Sequence, residues 1–272
     1  MKILMLHGYS QNSCTFQRKL RRLAERLHQA FPNTELVWPE GPLHLHASDI
    51  PGYEPVKTER HLHEGPELRA WFHLRYVQDP PHGLLQSLDL LAEILERDGP
   101  FDGVIAFSQG TILAAILASL LHGQARLDAF QRALQISPHI MPYPETFINL
   151  RHPPFKFGIL YAGRVGTTRY SNWLYEDPPI DTPFCHFVGK WDPMVDHEER
   201  DAVLAKLSGS KESRTIVHVG GHFVPVNDKM VGHVVDFIAK CSNRKHSDGS
   251  DSHCAERQRA RSDQMRTTAA AA

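Results

Sequence analysis

One serine, one aspartate and one histidine stand in settings that suit acyl-transfer chemistry. Ser108 lies in Gly103-Val104-Ile105-Ala106-Phe107-Ser108-Gln109-Gly110, where an apolar strand-like run stops at a hydroxyl between small residues. A long apolar helix-like run, Thr111 to Leu121, follows at once. A strand–turn–helix of this kind is a nucleophile elbow, which presents the hydroxyl at the top of a sheet. The hydroxyl is a weak nucleophile until a base takes its proton, and the base needs a carboxylate to orient it. Asp192, in Phe187-Val188-Gly189-Lys190-Trp191-Asp192-Pro193, directly follows one apolar run. His222, in Val217-His218-Val219-Gly220-Gly221-His222-Phe223, follows another, and the two glycines let the loop turn back toward the sheet. The separations are 84 residues (192 − 108) and 30 residues (222 − 192). Each group therefore falls one or more strand–helix units after the last, in the order Ser, Asp, His that an elbow enzyme uses. Asp181 and Asp196 compete for the acid role and His218 for the base. Ser108 by itself also suits a helix N-cap.

Acyl transfer further needs N–H donors for the oxyanion. The backbone N–H of Gln109, directly after the nucleophile, is one. The second is assigned to Tyr9, with Ser10 as the alternative, in the loop His7-Gly8-Tyr9-Ser10 that ends an early strand. His7 is read as holding that loop by hydrogen bonds, and Asp102 as a turn or strand-end carboxylate. One position departs from the elbow pattern: residue 106 is Ala where G-x-S-x-G has Gly. One methyl group there is expected to be absorbed by a small backbone shift, with activity retained.

These groups must be positioned by regular elements. Ile3–Leu6, Leu36–Trp38, Val104–Phe107, Phe155–Tyr161, Pro183–Val188 and Thr215–Val219 read as strands. Residues 14 to 31 place Phe16, Leu20, Leu23, Leu27 and Phe31 three and four apart, the pattern of one amphipathic helix. Leu84 to Leu95 repeats it and stops at Gly99-Pro100, and further helices are expected at 197–207 and 226–240. Alternating strands and helices predict an α/β fold with a mainly parallel sheet and helices on both faces. The domain is expected to span residues 1–241. Within it, residues 39–82 are rich in Pro, Gly and His. They read as an irregular lid or substrate-contacting excursion, with some helix near Glu67 to Leu74. Trp71 and Phe72 there either line an acyl pocket or pin the excursion to the core. Residues 242–272 hold almost no large apolar side chain and predict a disordered tail.

Composition excludes several alternatives. The 272 residues carry a formal net charge of −1, which offers nothing to nucleic acid or an anionic membrane. The Arg257–Arg266 stretch is interspersed with acids and reads as solvated. No apolar run reaches the roughly 18 residues of a membrane span, and Met1–Leu6 is too short for the core of a signal peptide. Cys14, Cys185, Cys241 and Cys254 form no C-x-x-C pair, so a reduced, cytoplasmic protein is expected. His44, His46, His61 and His63 form H-x-H pairs with no Cys or clear carboxylate partner, which reads as a solvated loop and not a metal site.

Three phrases carry a family resemblance: Leu6-His7-Gly8-Tyr9-Ser10-Gln11-Asn12, the run from Gly99-Pro100-Phe101-Asp102-Gly103 to Ala106-Phe107-Ser108-Gln109-Gly110, and Gly221-His222-Phe223-Val224-Pro225. Over about residues 1–240 the chain resembles the FSH family of serine hydrolases. That family includes fungal esterases and thioesterases of secondary-metabolite pathways and the related ovarian-tumour-associated serine hydrolases. The resemblance implies an α/β-hydrolase fold, no metal or organic cofactor, and a triad of Ser108, Asp192 and His222. It favours an esterase or thioesterase of a polyketide-like biosynthetic pathway, with an acyl ester or thioester as substrate and an acyl-carrier domain of a synthase as partner. The alternative is a hydrolase-like fold without turnover that binds a hydrophobic acyl ligand or a protein, motivated by Ala106 and the long excursion.

Overall fold

Apolar side chains alternate along the central strands and fill two separate cores. In β1 (Lys2–Leu6), Ile3 and Met5 enter one core while Leu4 and Leu6 enter the other. In β5 (Gly103–Phe107), Ile105 and Phe107 are divided from Val104 and Ala106 in the same way. Successive side chains of a strand point to opposite faces, so strands apolar at every position must be covered on both. A computed structural model shows that cover. It describes residues 1–50, 67–73, 80–163, 171–194, 207 and 209–243.

Six parallel strands form the main sheet in the order β2 (Glu35–Val37), β1, β5, β6 (Phe157–Tyr161), β7 (Phe184–Gly189) and β8 (Arg214–His218). On one face lie α1 (Ser13–Lys19), α2 (Arg21–Ala30) and the helix Asp228–Ser242, here α6. On the other lie α3 (Leu84–Asp98), α4 (Gln109–Leu120) and α5 (Gln124–Ile136). The chain runs outward from β1 to β2 and then returns past β1 to β5. That reversal opens a crevice at the carboxyl ends of the strands, where open α/β sheets bind ligands. Met1–Ser242 is one compact unit. Among the described residues no single helix is long and apolar enough to cross a membrane.

Several elements differ from expectation. The single helix over 14–31 is two helices, broken at Leu20 (φ −97°, ψ 9°), yet Phe16, Leu20, Leu23 and Leu27 all stay buried. No helix forms at 67–73. Instead β4 (Arg69–Ala70) pairs antiparallel with β3 (Leu43–His44), and Arg69 bridges to Gln11. Tertiary pairing overrides the local pattern there. Helix α5 was not foreseen, and α6 continues through Ser242. The helix expected at 197–207 lies outside the described residues except for Leu207. The tail beyond Asn243, with Cys254 and Arg257–Arg266, lies wholly outside them. So do His61 and His63, whereas His44 stands 3.3 Å from Glu67, both side chains being more than half exposed.

Candidate active site

Ser108 sits between the buried central strand β5 and α4, with φ 51° and ψ −117°. A non-glycine residue in this region is strained and persists only where its surroundings hold it. The Ser108 N–H donates to Tyr161 O at 3.0 Å, and its carbonyl accepts from the Thr111 N–H at 2.9 Å and hydroxyl at 2.6 Å. Its own hydroxyl makes no cap bond to α4 and is left for other partners. Every residue of α4 is buried, in keeping with its mostly apolar composition. The two small positions of the elbow have different needs. A Cβ on Gly110 would stand 2.5 Å from Leu6 O and 2.7 Å from His7 O, so α4 can lie against the end of β1 only with glycine there. Ala106 carries its methyl group fully buried in the α3–α4 core while Ser108 keeps its strained geometry.

The acid and base arrive on the loops after β7 and β8. His222 Nε2 lies 2.8 Å from Ser108 Oγ, and its Nδ1 lies 2.9 and 3.1 Å from the two Asp192 carboxylate oxygens. A carboxylate only accepts, so Nδ1 carries the proton and Nε2 is free to accept from the serine. Asp192 also accepts the Met194 N–H at 2.9 Å, and its side chain is 3% exposed against 20% for His222. The imidazole leans on the Phe107 ring, with centroids 5.2 Å apart. Among the competitors, Asp181 is exposed and precedes β7, at the opposite end of this parallel sheet. His218 ends β8, buried against Phe223. Burial lowers its pKa against the opposing pull of Asp192. Asp196 lies outside the described residues.

The loop assigned to the second oxyanion donor lies against the nucleophile. A Cβ on Gly8 would be 3.2 Å from Ser108 Cβ and 2.8 Å from the Phe107 ring, so only glycine admits this approach. Tyr9 follows Gly8, and its hydroxyl donates to Asp49 O at 3.0 Å. The alternative, Ser10, has φ 55° and donates its hydroxyl to Tyr9 O at 2.7 Å. His7 is fully buried and braces the loop. Its Nε2 accepts the Gly41 N–H at 3.0 Å, which puts the proton on Nδ1, facing Gly8 O at 2.8 Å. Burial lowers its pKa, outweighing the Gly8 carbonyl and Glu40, so the ring is neutral near pH 7. Trp71 is 0% exposed and Phe72 4%, and the indole N–H donates to His7 O at 2.9 Å. Asp102 lies at the far end of the sheet, where it accepts from Lys2 N–H at 2.8 Å and Lys156 Nζ at 2.6 Å. Burial raises its pKa, but the bonds from Lys156 and Lys2 prevail and leave it below the ordinary value.

Sequence reasoning considered Gln109 for its backbone N–H alone and missed its side chain. That amide accepts the Trp71 N–H at 3.0 Å and donates to Phe72 O at 2.6 Å. A long polar side chain at the first position of a mostly apolar helix was the available signal.

A strained serine at the end of a central parallel strand, within reach of a carboxylate-oriented histidine, defines the class: a serine hydrolase constellation on an α/β-hydrolase fold. The chain belongs to the serine hydrolase (FSH1) family, whose model matches residues 1–234. Among relatives, it is 26% identical over 242 residues to an uncharacterized hydrolase of Schizosaccharomyces pombe, covering 87% of this chain and 50% of that protein. It is 26% identical over 250 residues to esterase OVCA2 of Danio rerio, covering 88% and 97%. To family of serine hydrolases 2 of Saccharomyces cerevisiae it is 25% identical over 244 residues, covering 87% and 96%. The chain thus spans about half of the first relative and nearly all of the other two. Among solved structures, acyl-protein thioesterase 2 of Zea mays superposes with a TM-score of 0.55 at 18% identity, covering 88% and 93%. That likeness shows the fold alone.

Proposed function

We propose that this protein is a serine esterase or thioesterase acting through Ser108, His222 and Asp192. The observation that carries the reading is the unbroken hydrogen-bonded chain, 2.8 Å from hydroxyl to imidazole and 2.9 Å from imidazole to carboxylate. In the first half-reaction His222 Nε2 takes the Ser108 proton as Oγ attacks the carbonyl carbon. The tetrahedral oxyanion accepts from the backbone N–H groups of Gln109 and Tyr9. The imidazolium then protonates the leaving alcohol or thiol, giving an acyl-enzyme. In the second half-reaction a water gives its proton to His222 and attacks the acyl carbon, and Ser108 recovers its proton as the acid departs. Asp192 fixes the tautomer and stabilises the imidazolium.

The relatives' names support esterase chemistry, and the family resemblance favours a carrier-bound acyl thioester of a polyketide-like pathway as the physiological substrate. Free thiols at Cys14 and Cys185 support a reducing, cytoplasmic setting. A fluorophosphonate probe is expected to label the wild type and to leave Ser108→Ala and His222→Ala unlabelled. Equal labelling of wild type and Ser108→Ala would overturn the reading. A panel of aryl esters and acyl thioesters of rising chain length then orders the substrate classes.

A further inference from the structure

Buried amides and indoles must find partners, and the partners they find here are informative. Gln109 opens α4 and is 3% exposed. Its side-chain amide spends both its groups on one stretch of backbone, Trp71–Phe72. Trp71 in turn donates its indole N–H to the carbonyl of His7, two residues before Tyr9, and stacks on the His7 ring with centroids 4.8 Å apart. The Trp71 carbonyl accepts from the Ser87 hydroxyl on α3. The excursion fastens to the same loop at other points. Arg69 N–H donates to Gln11 O at 3.0 Å, Asn12 Nδ2 to Glu67 O at 2.8 Å, and Gly41 N–H to His7 Nε2.

We propose that Trp71 and the Gln109 side-chain amide are positioning residues that hold the two oxyanion donors, the N–H groups of Tyr9 and Gln109, at one working separation. Along the backbone those donors are a hundred residues apart (109 − 9). Through Trp71 they are joined by two side chains, the indole and the Gln109 amide, and two hydrogen bonds. Strand pairing of β1 with β5 ends at Leu6 and Ala106, three residues short of each donor. The last step to the site is therefore set by the loop contacts, and Trp71 touches both loops. The excursion, read from sequence as a lid or substrate-contacting segment, buttresses the oxyanion side through Gly41 and residues 67–73. This inference rests on the serine-hydrolase reading and deepens it.

Two variants test it. Trp71→Phe keeps a buried ring but removes the indole N–H bond to His7 O. Gln109→Met keeps the backbone donor but removes both amide bonds to Trp71–Phe72. Loss of one oxyanion donor costs about 10²–10³ in kcat, and displacement of about 1 Å costs on the order of 10². The expected result is a fall in kcat of about 10-fold for Trp71→Phe and about 10²-fold for Gln109→Met, with KM within about 2-fold. Affinity for a trifluoromethyl ketone, whose hemiketal oxyanion uses the same donors, is expected to fall by the same factor as kcat/KM. Fluorophosphonate labelling of Ser108 is still expected to reach completion. A merely structural brace would move the melting temperature and leave kcat and ketone affinity within about 2-fold of wild type, which would overturn the proposal. A rise in KM at unchanged kcat would overturn it too, by assigning Trp71–Phe72 to substrate binding. Val234→Ala, in the opposite core, controls for stability loss alone. If one test variant fails to fold, the other decides. Failure of the wild type to label or turn over would instead refute the hydrolase reading itself, which keeps the two failures distinct.

Discussion

Gly110→Ala asks how finely the elbow is set. The added Cβ would lie 2.5 Å from Leu6 O, whereas ordinary van der Waals contact begins near 3.4 Å. Something must therefore move by about 0.9 Å, and the obstacles are the backbone carbonyls of Leu6 and His7 and not the far end of a flexible side chain. The two bodies that can separate are the start of α4, which carries the Gln109 N–H, and the end of β1, which leads to Tyr9. Either movement opens the oxyanion side by nearly the full displacement. A misplacement of about 1 Å costs on the order of 10² in rate. The expected outcome is a fall in kcat of about 10²-fold in steady-state hydrolysis of a short aryl ester, with KM changed by less than about 3-fold. Ala106→Gly is the matched comparison at the other small position. It removes a buried methyl and loosens a central strand, costing about 1–2 kcal/mol in urea unfolding. Because the elbow already accommodates the alanine, kcat is expected to stay within about 2-fold. Wild-type kcat in Gly110→Ala, with the protein folded, would show that the helix–strand approach does not set catalytic geometry.

Other perturbations follow from the same structure. Asp192→Asn preserves shape but presents an amide to His222 Nδ1. Where its N–H faces the ring, the proton moves to Nε2 and the base is lost, so kcat is expected to fall by about 10⁴, as triads of this kind lose. A variant within 10-fold of wild type would contradict the tautomer role. His186 is buried on β7, its Nε2 lacks a partner, and burial lowers its pKa to about 4. The unfolded chain, with the ordinary value of 6.5, then binds more protons than the fold between those two values, so stability falls as pH drops from 6.5 toward 4. At about 1.4 kcal/mol per pH unit, the loss from this side chain approaches about 3 kcal/mol. His186→Leu is expected to flatten that part of the urea-unfolding profile between pH 7 and pH 4.5. The slope left by His7, His122, His152 and His218, all lowered chiefly by burial, is expected to remain. An unchanged profile in the variant would place the acid sensitivity elsewhere.

Much of the site was legible because its cues are local. An apolar run that stops at Ser108, Asp192 or His222 marks a strand end whatever the rest of the chain does, and in a parallel sheet those ends gather on one edge. The order of the three groups and the fold class follow from that punctuation. Elements with weaker local cues were misread or missed. Helix α5 shows no clean apolar stripe, since Leu134 and Ile136 are 44% and 87% exposed. The break at Leu20 lies inside an unbroken apolar periodicity, which a helix pair preserves as well as a single helix does.

Residue types at strand ends were thus enough to single out Ser108, Asp192 and His222 as candidates. Only the folded chain decided which partners they meet: the imidazole between Ser108 and Asp192, and Trp71 between His7 and Gln109. Those contacts join residues tens to more than a hundred positions apart. A buried polar group takes whatever partner packing delivers to it, and no local pattern records which one that will be.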